Sequence, residues 1–253
     1  MDFESALTSI AKDEQWSNKL LAGGGIIFCM IFTVILPLII FLLSDSIICG
    51  MIAAVLSLLA FFLLTFLFLG YVCKYANEKI TNADAKLPNW IGFGKLIVIG
   101  FKYVVGILIY TLPLNIVGLA FLSILIFSLS SRSHDFLNPA WFFFMVFWGA
   151  IVLSLYILTM LFMPLMQCNF LKSFKIVSFI DFKNAFNMLK NNINNYFILI
   201  LLLIALSVLY QIVFGILSFT VVGLIFVPMF ILYLYLVIAE LYVQFIVAVK
   251  TED

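Results

Sequence analysis

The sequence predicts an all-α integral membrane protein, with six transmembrane helices and short amphipathic helices at one membrane face. Three observations predict it. The chain is 66% hydrophobic and only 10% charged, with 29 Phe among 253 residues. A soluble domain carries about 25% charged residues, so polar side chains are too scarce here to coat a globule in water. Long runs free of charge recur along the chain, and about 20 apolar residues suffice to cross a bilayer core. The basic residues, finally, gather in alternate connecting segments.

The first two spans occupy residues 20–43, opened by Gly23-Gly24-Gly25, and residues 47–71, after the short turn Ser44-Asp45-Ser46. The third covers residues 103–127 and the fourth residues 139–166, separated by the polar loop SLSSRSHDFLN. Between Tyr196 and Val249 the only charged residue is Glu240. As one helix that stretch would reach about 80 Å, far more than a bilayer core of about 30 Å. It must fold back on itself, and SFTVVG (residues 218–223) supplies the turn between spans five and six. Pro37, Pro113 and Pro228 fall inside spans, where a kink is expected unless neighbours satisfy the freed carbonyls.

Six spans put both termini on one side, together with residues 72–102 and 167–195. Of the 13 Lys and Arg residues, Arg132 alone lies on the other side. The positive-inside rule therefore predicts a multi-pass protein of the cell membrane with cytoplasmic N- and C-termini. The N-terminal MDFESALTSIAKDEQW is acidic and polar where a signal peptide would be basic and then apolar. Span one is thus the expected insertion signal.

An echo runs through the chain. Asp2-Phe3 with Ala6 at the next turn matches Asp181-Phe182 with Ala185. From Phe182 the apolar residues Ala185, Phe186, Leu189, Ile193 and Tyr196 follow the 3.6-residue period, with Lys and Asn opposite, as suits a helix in the interface plane. The N-terminal copy has Phe3, Ala6, Leu7 and Ile10 and stops at Lys12-Asp13, where Asp13 can cap the first span. Midway lies Phe93, followed by Leu96, Ile97 and Gly100, with Lys102 in the place of Lys12 and Lys190 one position off the same register. We therefore expect a single membrane domain over residues 1–253 made of three units, 1–90, 91–180 and 181–253, each an interfacial helix followed by two spans. Lys12, Lys102 and Lys190 are the expected interfacial anchors, reaching the headgroups by snorkelling. Lys172, Lys175, Lys183 and Lys190 form a basic strip that the positive-inside bias largely explains.

Glu240 is the one charge the repeat does not explain. A carboxylate near mid-membrane costs about 2.5–3.5 kcal/mol, so it normally faces a protein interior or a cavity. Tyr233, Glu240 and Gln244 share one face of span six; Ser207, Gln211, Gly215 and Ser218 form a stripe on span five. Asn115, just past Pro113, is a further polar candidate for the same interior. Two readings stand: a proton- or cation-responsive site in a transport path, or a Glu240 hydrogen-bonded to Gln211 or a tyrosine for helix packing.

Enzyme chemistry finds no footing. His134 beside Asp135 is the one histidine, and there is no GxSxG, HExxH or P-loop. Cys29, Cys49, Cys73 and Cys168 lack CxxC spacing, so no disulfide framework or metal site is expected. No catalytic residue, cofactor or metal is assigned.

Gly70-Tyr71 at the close of span two, then Leu87-Pro88-x-Trp90 and the glycines Gly94 and Gly100, form a short pattern. It resembles an uncharacterised family of archaeal and bacterial polytopic membrane proteins, the domain of unknown function four thousand and thirteen. Ile91-Gly92 stand where that family has acidic residues. The layout is also similar to the membrane portion of glycerophosphodiester phosphodiesterases, with no catalytic domain attached. The resemblance implies the fold and brings no activity. The expected function is a non-enzymatic membrane module interacting with lipids or another membrane protein, or with a second copy of itself. The alternative is a small transporter or channel-like protein built on Glu240. Nothing points to nucleic acid.

Overall fold

The computed structural model describes residues 2–44, 46–130 and 139–251. Asp45, Arg132, His134 and Asp135 lie outside the described residues. The chain forms α1 (Phe3–Thr8), α2 (Trp16–Ser44), α3 (Ile47–Thr81), α4 (Phe93–Ser130), α5 (Pro139–Ser173), α6 (Phe182–Asn191), α7 (Ile193–Ser218) and α8 (Val221–Thr251). Two 3-10 turns, Ile10–Lys12 and Ile176–Phe179, link them. No strand occurs among the described residues. Six helices, α2 to α5 with α7 and α8, are long and apolar enough to cross a membrane. This is a multi-pass membrane protein.

The expected turn between spans five and six is present: α7 stops at Ser218 and α8 starts at Val221, with the Thr220 hydroxyl accepting from the Gly223 N–H at 2.9 Å. Helix continues through Pro37, Pro113 and Pro228, and also through Pro164. Several helices outrun the apolar runs. α3 continues ten residues past Tyr71 and α4 begins ten residues before Tyr103. Charges end an apolar run, but YVCKYANEKIT holds no Gly or Pro to end a helix.

This overrun sets the middle copy apart from the outer two. α1 and α6 are discrete helices, whereas Phe93 opens α4 itself and no separate interfacial helix precedes the third span. FGKLIVIGFK is apolar throughout, so it joins the span rather than lying beside it. The outer two copies match closely. Asp2 caps α1 by accepting from the N–H groups of Glu4 and Ser5, Asp181 caps α6 by accepting from that of Asn184, and Ala6 and Ala185 are each fully buried.

α1 packs on the bundle. Its apolar face, Ala6 with Ile10 just beyond it, is buried in the protein against α8 and its neighbours. α6 divides its apolar face: Ala185 and Met188 pack inward, while Phe182 and Phe186 stay exposed.

Packing is uneven along the bundle. At the end carrying both termini, Tyr71, Tyr75, Leu96, Leu165, Phe170, Leu236, Phe245 and others form one buried core. The opposite halves of α2, α3, α4, α5 and α7 expose rows of Leu, Ile and Phe. Such rows cost nothing against lipid tails, which are as apolar as the side chains. α8 is the axis of the packed end: 56% of its most apolar stretch is buried, against 17% or less in the other five long helices.

Candidate functional site

At the terminal end the connection from α3 to α4 forms a strap across the bundle. Trp90 stacks on Tyr71 with ring centroids 3.8 Å apart and planes 4° from parallel. Its indole N–H donates to the Lys19 carbonyl at 3.0 Å. A Cβ at Gly23 would come within 2.8 Å of the indole and 2.2 Å of Leu232, so only glycine lets α2 approach here. Three residues earlier in the strap, Leu87 donates its N–H to Asp13 Oδ2 at 3.0 Å, and its carbonyl accepts from the Lys19 ammonium at 2.6 Å. Lys19 and Asp13 complete the loop as an ion pair at 2.8 Å. The Leu-Pro-x-Trp stretch is therefore a structural clasp between α2 and α3.

Asp13 is buried, and burial alone would raise its pKa. The hydrogen bond and charge of Lys19, with the N–H groups of Gln15 and Leu87, outweigh that and hold it below the ordinary value of 3.8. Asp13 does accept from the Gln15 N–H at 2.8 Å beside the start of α2, as a capping residue should.

α3 and α4 cross at two glycines. A Cβ on Gly70 would meet the Leu96 carbonyl oxygen at 1.9 Å, and one on Gly100 that of Phe66 at 1.8 Å. Both glycines belong to the pattern quoted from the sequence. Gly94, the third, has nothing within 4 Å of such a Cβ and plays no part in the crossing.

Glu240 is 8% exposed and accepts the Tyr75 hydroxyl at 2.8 Å. Its partner is thus a tyrosine from α3 and not Gln211. Glu240 also lies shallower than its sequence position implies. Tyr75 stands next to Lys74, beyond the apolar run of α3, which places the pair near the lysine-bearing end of the bundle.

The other residues of that stripe serve α1. Gln244 accepts from the Asp2 N–H at 2.8 Å and donates to the Asp2 carbonyl and the Ser5 hydroxyl at 2.9 and 3.0 Å. Tyr233 donates to the Leu7 carbonyl at 2.8 Å. Tyr233, Glu240 and Gln244 are therefore brought together on one face, where each joins α8 to another element.

Gln211 and Asn115 are not brought to them. Gln211 is exposed on α7 with Ser207 and Ser218; Asn115 is exposed on α4, its amide donating to Thr111 at 3.4 Å. Of the lysines, Lys12 and Lys190 are exposed and Lys102 is half-buried.

One further feature escaped the sequence. A cavity of about 290 Å³ lies between α3, α4, α5, α7 and α8, lined by four tyrosines (Tyr103, Tyr210, Tyr235, Tyr242), Gln167 and Cys73 among apolar residues. It abuts Ala239 but not Glu240. No regular spacing announced it, because its six polar residues come from five helices. Among the described residues no group of three or more His, Cys, Asp or Glu is placed to hold a metal.

Six membrane-crossing helices fastened at one end by a Trp clasp, a glycine crossing and a tucked N-terminal helix define a polytopic helical membrane protein. The family model described as Protein of unknown function (DUF4013) matches residues 53–231, and the chain belongs to that family. No curated protein and no solved structure matches the chain.

Proposed function

We propose that the protein is a non-enzymatic module of the cell membrane, both termini cytoplasmic, that holds lipid or another membrane protein against its helices. One observation carries this reading: Glu240, the charge on which a transport path would depend, is bonded to Tyr75 in the packed core, and the described cavity beside it does not reach it. Its stripe partners Tyr233 and Gln244 are engaged by α1, and Gln211 and Asn115 face outward on other helices. Tyr233, Glu240 and Gln244 thus serve packing, and the broad apolar surface of the opposite halves is the part offered to a partner. A tandem origin is proposed with it, on the matched caps and buried alanines of α1 and α6.

Purification of the full chain from native membranes tests the reading, with retained lipids and proteins identified together. Lipid or a membrane protein held in stable proportion supports it. A chain that emerges bare, and whose vesicles pass protons or cations, contradicts it and favours the small-transporter reading.

A further inference from the structure

We infer that the cavity between α3, α4, α5, α7 and α8 is a lipid site, seating a glycerolipid by hydrogen bonds to the uncharged oxygens of its glycerol region. The inference rests on the lipid arm of the function proposed above and gives it a location.

The hydrogen bonding of the tyrosines carries the argument. Tyr75, Tyr110 and Tyr233 donate to Glu240, the Thr159 carbonyl and the Leu7 carbonyl, and Tyr196 donates to the Leu161 carbonyl. The four that line the cavity make no such bond, a lack they share with Tyr71, which is buried under Trp90 outside the cavity. Among the described residues, the hydroxyls of Tyr103, Tyr210, Tyr235 and Tyr242 have no hydrogen-bond partner, nor has the Gln167 carboxamide. The polar side-chain atoms of Tyr103, Tyr210, Tyr242 and Gln167 are not fully buried, so they stay open to a partner from outside the protein. All four rings line the same space, Tyr235 and Tyr242 being two helical turns apart on α8. Polar groups in a membrane protein that find no protein partner require another, since an unmet donor in an apolar setting is costly.

The chemistry of the lining selects the ligand. It carries no charged side chain, so the seated group is neutral. Phenol hydroxyls donate, so that group presents acceptor oxygens, and the remaining lining is apolar, so the same molecule carries hydrocarbon.

The shape agrees. On α8 the lining runs from Ile231 to Tyr242, about 16 Å at 1.5 Å per residue, which suits a chain-like molecule. A volume near 290 Å³ is at the lower limit of ligand pockets. It accommodates the glycerol region and the first methylenes, with the remaining chains outside along the bundle.

The depth agrees as well. Lys74, Lys102 and Lys172 directly adjoin the lining residues Cys73, Tyr103 and Leu171 in sequence. That end of the cavity is therefore placed beside three lysines, at the depth where glycerol oxygens lie beneath the headgroups.

The test uses the full chain in phosphatidylcholine vesicles containing a diacyl phosphatidylcholine with a diazirine on its acyl chain near the ester. A diazirine-bearing alkane of equal length is the control probe. After photolysis the lipid probe should label cavity-lining residues of α3 and α8. The variant with Tyr103, Tyr210, Tyr235 and Tyr242 all changed to Phe keeps the rings and loses the hydroxyls. Its lining should take up label about ten-fold less, the effect of one or two net hydrogen bonds, while alkane labelling stays unchanged. If the fourfold variant fails to fold, Tyr103→Phe and Tyr242→Phe singly should each lower lipid labelling by about two- to three-fold. Lipid labelling unaffected by loss of the hydroxyls, alkane labelling of the lining as strong as lipid labelling, or label confined to the outward helix faces would each overturn the inference. Any of these with lipid still copurifying removes the cavity site and leaves the proposed function standing; absence of both lipid and protein partners removes the latter.

Discussion

Glu240 of α8 and Tyr75 of α3, 165 positions apart in sequence, meet through a hydrogen bond of 2.8 Å. The bond joins the central helix to the helix that carries the Trp90 clasp, and gives the carboxylate a donor inside the packed end. Hydrogen bonds of this kind between membrane helices contribute about 0.6 kcal/mol on average and at most about 1.7. Tyr75→Phe should therefore lower the stability of the detergent-solubilised protein by about 1 kcal/mol, read from denaturant midpoints. The double variant with Glu240→Leu should lose less than the sum of the two single variants, because the two side chains share one interaction. Strict additivity would mean the bond contributes nothing.

The crossing of α3 and α4 predicts larger effects. At Gly70 and Gly100 an added methyl would overlap backbone carbonyls, which cannot swing aside as a flexible side chain can. Overpacking of this kind costs about 1–3 kcal/mol and sometimes more. Gly70→Ala and Gly100→Ala should each fall at or above the top of that range, whereas Gly94→Ala should leave thermal stability unchanged or raised. Equal effects at all three positions would remove the crossing as the reason for the glycines.

Asp13 sets an acid limit. Its pKa is held below the ordinary 3.8 in the folded chain. The unfolded chain therefore takes up a proton first as pH falls, and stability rises with pH across that interval. The contribution is fully present above the ordinary value and is lost as pH drops through the lower folded one. Unfolding midpoints measured through the acid range should show this decline in the unaltered chain, and Asp13→Asn should be flatter there. Lys19→Met should destabilise at neutral pH as well, because it strips Asp13 and the Leu87 carbonyl of a donor together.

α1 depends on Gln244 for three hydrogen bonds. Gln244→Ala should free this short helix, which cannot stand alone at six residues. Amide exchange at residues 4–8 should accelerate while exchange in α3 and α4 is unaffected. Unaltered protection of α1 would mean that Ala6 and Ile10 suffice to hold it.

The membrane fold was legible because its cause is local: apolar runs are properties of short windows. The Asp-Phe echo was legible for the same reason, and it marked two capped helices with a buried alanine. That the middle copy runs straight into α4 was not legible, because periodicity records spacing and not whether a helix stops. Glu240 stood out as an isolated charge, but its partner did not. Tyr75 sits past the charge that closes the apolar run, on a helix that continues unseen. Asp13 was legible as a cap of the first span, but its tie to Lys19 and Leu87 was not, since the Leu87 backbone is far away in sequence. The tyrosine cavity had no signal at all, being assembled from single residues on separate helices.

The proposed function requires Glu240 to fasten helices without passing protons across the membrane. Purified chain reconstituted in sealed vesicles, with an internal pH dye and an imposed proton gradient, tests it most directly. The account predicts proton entry no faster than in empty vesicles, for the unaltered chain and for Glu240→Gln alike. A gradient-driven entry that the unaltered chain supports and Glu240→Gln abolishes, in a variant of unchanged fold, would contradict it.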